Sequence, residues 1–328
     1  MPQKLGLAHL PTPLWRSDAL DALIGSSVWV KRDDMTGGAE AGNKIRKLEY
    51  LLAEALERGA SAVITCGAVQ SNHARATALL AAGLGLRTLV FLRTVAPGVD
   101  HAPSGNLLLD RLAGAEVRFI TPEQYRRRAE LMAAAEAELG ERGEKAYVIP
   151  EGGSNGLGAL GYADAMREVR AQLDLGLGGG PRGFDAVVHA CGSGGTAAGV
   201  ALGARRFEVA PLVHSIAVCD DRSYFEATIG RIVLESTKLE PRLKHTAEVV
   251  VHDAWKGPAY GVPSEEQLRF IVEVARKTGL VLDPVYGGKA LFGLSRMDPK
   301  PERVLFIHTG GLPGLLAQAD AFSELIAH

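Results

Sequence analysis

Cysteine is scarce in this chain of 328 residues: there are three, Cys66, Cys191 and Cys219. The number is odd and no CxxC spacing occurs, which argues against a disulfide framework and against a zinc site, so no metal is expected. An excess of charge of one sign is also absent. Lys+Arg total 36 against 38 for Asp+Glu, a net charge of −2, and no basic block exceeds a few residues. Nucleic acid and anionic membrane are therefore not expected partners. No apolar stretch reaches membrane-spanning length without a charge or a glycine run. Met1 to Leu14 shows no cationic patch followed by an apolar core, so a signal peptide is not expected and the chain reads as cytoplasmic. Two nucleotide signatures are missing as well, GxxxxGK[ST] and GxGxxG.

What is present is an alternation. Short apolar runs suggest strands at Ser27–Lys31, Ala62–Thr65, Thr88–Leu92, Val117–Ile120, Tyr147–Ile149, Ala186–Cys191, His214–Val218, Glu248–His252 and Arg303–His308. Between them lie amphipathic segments such as Ile45–Arg58, Ala74–Ala82, Gln124–Leu139 and Glu265–Lys277. Ile45, Leu48, Leu51, Leu52, Ala55 and Leu56 recur at helical spacing and mark one buried face. Strand alternating with helix predicts an α/β fold with mainly parallel sheets. The length suggests two domains, or one domain with a large insertion. No internal repeat is evident, and the Gly/Pro-rich stretch Leu175–Gly183 reads as a flexible surface connection.

In such sheets ligands collect at the carboxyl ends of strands, where glycine-rich loops enter helices. Loops of this kind occur at Gly37–Asn43, Gly67–His73, Gly152–Gly158, Gly192–Gly195 and Thr309–Gly314. Four segments stand out chemically. Lys44, Arg46 and Lys47 fall in the first turn of a predicted helix, where the partial positive charge of the helix end disfavours cations. An anion close by would explain them; a solvated cationic helix start would also do so. Lys44 and Lys47 share a face, so one amine can act as nucleophile while the other meets a phosphate. In Ala190-Cys-Gly-Ser-Gly-Gly-Thr-Ala-Ala-Gly199, a strand turns into a helix through backbone N–H groups and the hydroxyls of Ser193 and Thr196. That suits a non-nucleotide phosphate, and it also suits a turn with no ligand. Ser71 and Asn72 stand where a helix would begin and can simply cap it. With Gln70 and His73 they also make a dense polar set able to bind a carboxylate and a cofactor ring oxygen. Tyr286, in Asp283-Pro-Val-Tyr-Gly-Gly-Lys289, is either a site residue or an ordinary loop tyrosine.

Taken together, these segments resemble the D-cysteine desulfhydrase and 1-aminocyclopropane-1-carboxylate (ACC) deaminase family over nearly the whole chain, from Pro11-Thr-Pro-Leu14 to Thr309-Gly-Gly-Leu-Pro313. The resemblance implies the two-domain, tryptophan-synthase-β-like fold (fold type II) of enzymes dependent on pyridoxal 5′-phosphate (PLP). It implies a large domain of residues 1–50 plus 159–328, a small inserted α/β domain of 51–158, and a homodimer. By the same resemblance Lys44, in GNKxRKLE, takes the cofactor covalently, and Lys47 with Ser193, Gly194, Gly195 and Thr196 holds its phosphate. Asn72 lies near the ring hydroxyl, Thr309 at the pyridine nitrogen, and Ser71, Asn72, His73 and Tyr286 face a small amino-acid substrate, with Ser71 and Tyr286 joining Lys44 in catalysis.

Within the family, ACC deaminases follow the tyrosine with a glutamate, where this chain has Gly287, and carry glutamine where it has His73. Desulfhydrases resemble it more in Thr309 and in the segment Gly152 to Tyr162, although they often have threonine in place of Gly287. A neutral hydroxyl at the ring nitrogen makes a weaker electron sink than a carboxylate would, which suits elimination of a good leaving group. The expected activity is therefore β-elimination, D-cysteine to pyruvate, ammonia and hydrogen sulfide. The alternatives are L-cysteate sulfo-lyase, ACC deaminase, a non-catalytic ligand-binding protein of the same fold and, more distantly, a nucleotide-binding Rossmann protein.

Overall fold

The computed structural model describes residues 1–99 and 101–327. The strands among them are β1 (Leu14–Arg16), β2 (Ser27–Arg32), β3 (Ala62–Ala68), β4 (Arg87–Arg93), β5 (Glu116–Ile120), β6 (Ala146–Val148), β7 (Ala186–Cys191), β8 (Leu212–Ala217), β9 (Glu248–His252) and β10 (Arg303–His308). They form two sheets. A six-stranded sheet has the order β1-β2-β10-β7-β8-β9, parallel throughout except where β1 meets β2. A four-stranded sheet has the order β5-β4-β3-β6 and is wholly parallel. Parallel strands need crossover helices, which cover the sheet and make the strands apolar on both faces. Accordingly β7, Ala-Val-Val-His-Ala-Cys, is buried at every position.

All nine expected strands occur. β3 runs on to Ala68 because Cys66, Gly67 and Ala68 still pair with Phe91, Leu92 and Arg93 of β4. β1 is an addition: three residues are too few to show a period, and only pairing with β2 makes Leu-Trp-Arg a strand. The segment Gln124–Leu139, expected as one helix, is two, Pro122–Arg126 and Arg128–Glu141. A capping box of Thr121 and Gln124 starts the first earlier than the apolar pattern suggests, and Arg127 (φ −100°, ψ 22°) leaves the helical region. Leu56 does not belong to the buried face of the helix Lys44–Glu57, because the last turn emerges into solvent. The Leu175–Gly183 connection lies at the surface but is tied down: the Arg303 guanidinium donates to the carbonyls of Gly178 (2.5 Å), Arg182 (3.3 Å) and Gly183 (3.2 Å).

Two features place the helix that carries Lys44. The first is close packing. A Cβ on Gly161, in the helix Gly156–Asp174, would run into the Arg46 carbonyl, and one on Gly199, in the helix Gly195–Arg206, into the Ala159 carbonyl. Three helices therefore meet backbone to backbone. The second is a buried ionic network around Arg46. Its guanidinium donates to both oxygens of Asp33 (2.8 and 2.7 Å) and to both of Glu168 (3.0 and 3.1 Å). Tyr162 donates to Asp33 at 2.7 Å, and Lys31 to Glu168 at 2.5 Å. Burial would raise the Asp33 carboxyl, but Arg46 wins and holds it below its ordinary range. The anion that Arg46 needs is thus protein.

Candidate active site

A cavity of about 860 Å³ opens at the carboxyl ends of both sheets. Its wall draws on the segments after β3 (Gly67 to His73), β6 (Pro150 to Ser154), β7 (Gly192 to Thr196), β8 (Cys219, Asp220) and β10 (Thr309), together with Lys44, Tyr260 and Tyr286. This is where a parallel sheet leaves its loops free to bind a ligand.

Lys44 opens its helix, and the surface it keeps faces this cavity. Its Nζ donates to Asn43 Oδ1 at 3.0 Å and lies 5.9 Å from the centre of the Tyr286 ring. Burial, helped by Arg75 and opposed by Asp283, lowers its amine to about 8. A substantial neutral, nucleophilic fraction therefore exists at ordinary pH.

Lys47, one turn on, is buried. Its Nζ donates to the Gly152 carbonyl (3.1 Å) and Ser154 Oγ (3.2 Å), and among the described residues no carboxylate pairs with it. Burial and the neighbouring Lys44 push its amine well below the usual lysine value. Buried cations are ordinarily paired, so Lys47 marks the place of an anion that the chain itself does not supply. The turn Ser193-Gly-Gly-Thr196 closes over the same spot. A Cβ on Gly195 would lie 2.9 Å from Lys47 Nζ and 2.6 Å from Ser154 Oγ, so glycine keeps that cradle open. The helix beginning there directs its free N–H groups toward it. Ser154 links the parts: its Oγ meets Ser193 Oγ at 2.8 Å and accepts from Gly195 N at 3.2 Å. Lysine, hydroxyls and helix N–H groups fit a phosphate, and an aldehyde-reactive lysine on the adjoining wall fits pyridoxal phosphate.

The remaining expected residues gather here too. Ser71 caps the helix Asn72–Gly83, accepting from Ala74 N (3.2 Å), and also lines the cavity; among the described residues nothing accepts its own proton. Asn72 lines the wall beside it. His73 is buried, with Nε2 2.9 Å from Thr65 Oγ1, and burial plus Lys44 and Lys47 hold it well below its usual pKa, hence neutral. Thr196 Oγ1 accepts from Asn43 Nδ2 at 3.3 Å. Thr309 sits on the wall, its carbonyl accepting from Asn43 N at 3.1 Å. The Tyr286 hydroxyl shares a 2.6 Å hydrogen bond with that of Tyr260. Gly194, like Gly195, belongs to the turn over Lys47.

Several contributors were missed in the sequence. Asp283 accepts from the N–H groups of Val285 (3.0 Å), Tyr286 (2.8 Å) and Gly287 (2.7 Å), and so shapes the loop that carries Tyr286. Burial raises it to about 6 against those three donors. An aspartate three residues before a tyrosine is a visible loop signal. Ser154 also stands in a loop already marked as glycine-rich. Asn43 closes the marked loop Gly37–Asn43 and adjoins Lys44, so its position was visible though its role was not read; Tyr260 carries no such sign, because long-range folding alone brings it to the cavity.

The fold and this site define a class. The chain belongs to the family of pyridoxal-phosphate dependent enzymes, whose family model matches residues 5–310. Among its relatives is the bifunctional D-cysteine desulfhydrase/1-aminocyclopropane-1-carboxylate deaminase, mitochondrial, of Arabidopsis thaliana, 43% identical over 337 residues, 98% of this chain and 81% of that one. A Thermotoga maritima protein provisionally named 1-aminocyclopropane-1-carboxylate deaminase is 44% identical over 318 residues, 96% of this chain and 98% of the other. The crystal structure of an ACC deaminase homologue superposes with a TM-score of 0.87 at 35% identity, covering 99% of this chain and 97% of that one. The chain is thus a fold-type-II enzyme that uses pyridoxal phosphate, of the D-cysteine desulfhydrase and ACC deaminase group.

Proposed function

We propose that the protein catalyses β-elimination on a small amino acid, with D-cysteine as substrate and pyruvate, ammonia and hydrogen sulfide as products. The observation that carries this reading is that Lys44 and Thr309 both line the cavity, with glycine at position 287. The cavity offers a depressed lysine amine to move the proton, and Thr309 would offer the ring nitrogen a neutral hydroxyl where a carboxylate would make a stronger sink.

Lys47, the Ser193–Thr196 turn and Asn72 hold the cofactor by phosphate and ring. When bound, pyridoxal phosphate supplies an aldehyde that joins amines and a conjugated ring that accepts the electron pair left at Cα. Lys44 would hold the cofactor through its amine, and as a neutral amine it would remove the substrate Cα proton. Ser71 donates to the substrate carboxylate, and buried, neutral His73 closes the wall behind it without adding charge. The Cβ–S bond then breaks with its electron pair going to sulfur, and the Tyr286–Tyr260 pair delivers a proton there. The released aminoacrylate hydrolyses to pyruvate and ammonia.

The domain division of 1–50 plus 159–328 against 51–158 is supported by the strands, since β3 to β6 make the four-stranded sheet by themselves. We place the chain in the cytoplasm as a homodimer. The dimer rests on resemblance. For the location, among the described residues no helix is long and apolar enough to cross a membrane.

The test is incubation with D-cysteine, L-cysteine, L-cysteate and ACC, assaying pyruvate, sulfide, sulfite and 2-oxobutyrate. Equimolar pyruvate and sulfide from D-cysteine at the highest kcat/KM is the expected result. A higher value for sulfite from L-cysteate or for 2-oxobutyrate from ACC would replace this reading with the corresponding activity.

A further inference from the structure

Asn72 lines the cavity, and its side chain has two ends of opposite character. Its Oδ1 accepts from Asn106 Nδ2 at 3.0 Å, and the same Nδ2 donates to the backbone carbonyl of Gln70 at 2.9 Å. A carbonyl oxygen only accepts, so the Asn106 atom touching it has to be the NH2 group. An NH2 group only donates, so the Asn72 atom it also touches has to be oxygen. The direction of both amides, ordinarily ambiguous, is dictated by a single main-chain carbonyl. Asn72 therefore turns its own NH2 away from Asn106, and among the described residues nothing accepts from it.

Asn106 has no freedom to do otherwise. It is fully buried, its backbone N–H donates to Gln70 Oε1 at 2.8 Å, and Gln70 Nε2 donates to the Ser104 carbonyl at 3.1 Å. Gln70 thus grips Asn106 through both its main chain and its side chain. A flipped Asn106 would set its oxygen against the oxygens of Gln70 and Asn72 at hydrogen-bonding distance.

We propose that Asn106 is a positioning residue for the cofactor. It ensures that Asn72 presents NH2, and not carbonyl, to the ring hydroxyl of pyridoxal phosphate, where a donor favours the ionised oxygen and a carbonyl would repel it. The proposal rests on the reading that Asn72 meets that oxygen.

The experiment is a double-mutant cycle. Enzyme stripped of cofactor is titrated with pyridoxal phosphate as wild type, Asn72→Ala, Asn106→Leu and the double variant. The dissociation constant, the pH titration of the bound cofactor's absorption and the melting temperature are recorded for each. Each single substitution should raise Kd by about tenfold, as expected for one hydrogen bond to a charged group, and move the ring-oxygen titration to higher pH. The double variant should bind no more weakly than Asn72→Ala, since Asn106 acts through Asn72. Additive losses would mean that Asn106 works by packing alone, and would overturn the proposal. So would a wild-type titration in Asn106→Leu beside a shifted one in Asn72→Ala. No effect in Asn72→Ala would remove the reading of Asn72 itself, and this proposal with it. Asn106→Ala serves in the same cycle where leucine prevents folding.

Discussion

Replacing Lys47 by methionine should move two properties in opposite directions. The side chain is 1% exposed, bonds to one carbonyl and one hydroxyl, and has no carboxylate partner among the described residues. In cofactor-free protein, methionine keeps most of the volume and removes an amine that burial makes hard to charge. The Gly152 carbonyl retains Ser154 Oγ at 3.4 Å as a donor. The sign with pH follows from linkage. An unfolded lysine titrates near about 10.4, and the folded one lower, so between the two values the unfolded chain binds a proton that the folded chain lacks. Wild-type stability therefore rises with pH in that window, by up to about 1.4 kcal/mol per pH unit for this group, and the variant loses that slope. The cofactor-free variant should melt at or above wild type near about pH 7, with its advantage shrinking as pH climbs toward about 10. Cofactor binding should suffer. A charge-assisted hydrogen bond to phosphate contributes about 1.5–3 kcal/mol, which corresponds to roughly 10- to 150-fold in Kd. Thermal melts of the cofactor-free forms across pH, beside titration with pyridoxal phosphate, measure both. A variant that melts well below wild type near about pH 7 while binding cofactor within about threefold would show Lys47 to be structural and refute the reasoning.

Three further outcomes are expected. On the role proposed for Lys44, borohydride reduction should fix the cofactor on the Lys44 peptide by mass spectrometry and fail to do so in Lys44→Ala. Because only the neutral amine attacks, the rate of capture should rise with pH through about 8 and then level off; a midpoint at the ordinary lysine value would contradict the burial argument. Gly195→Ala puts a methyl 2.9 Å from Lys47 Nζ and 2.6 Å from Ser154 Oγ, so cofactor affinity should fall by at least about tenfold, with about 1–3 kcal/mol of overpacking visible in urea denaturation. Arg46→Met leaves Asp33 buried without its cation, and the urea midpoint should register a loss of about 3–5 kcal/mol.

The parallel strands were legible because burial on both faces makes them continuous apolar runs between helical patterns, as at β7 and β10. β1 was not, since three residues carry no period. At the site, the motif residues announced themselves through local oddity. Cations at a helix start drew attention to Lys44 and Lys47, and glycines after β7 to the turn at Ser193. That same oddity misled at Arg46, whose partners Asp33 and Glu168 stand 13 and 122 residues away. Nothing local distinguishes a lysine facing a ligand from an arginine facing a distant glutamate. Tyr260 and Asn106 were invisible for the same reason, because their roles depend on Tyr286 and Asn72, which the fold alone makes neighbours.

The glycines at 161 and 199 bear on how this enzyme can change. Helices in contact through their main chains have no side-chain layer between them to repack, so the spacing from Lys44 to the phosphate turn acts as a fixed ruler. A substitution cannot lengthen or shorten that ruler by small steps; it either leaves the spacing alone or breaks the contact. On the proposed roles, adaptation to a different amino acid has to come from cavity residues outside this contact, among them Ser71, His73 and the hydroxyl-linked Tyr260 and Tyr286. The helices locked through Gly161 and Gly199 are rigid stock, and variation costs least at cavity residues outside that contact.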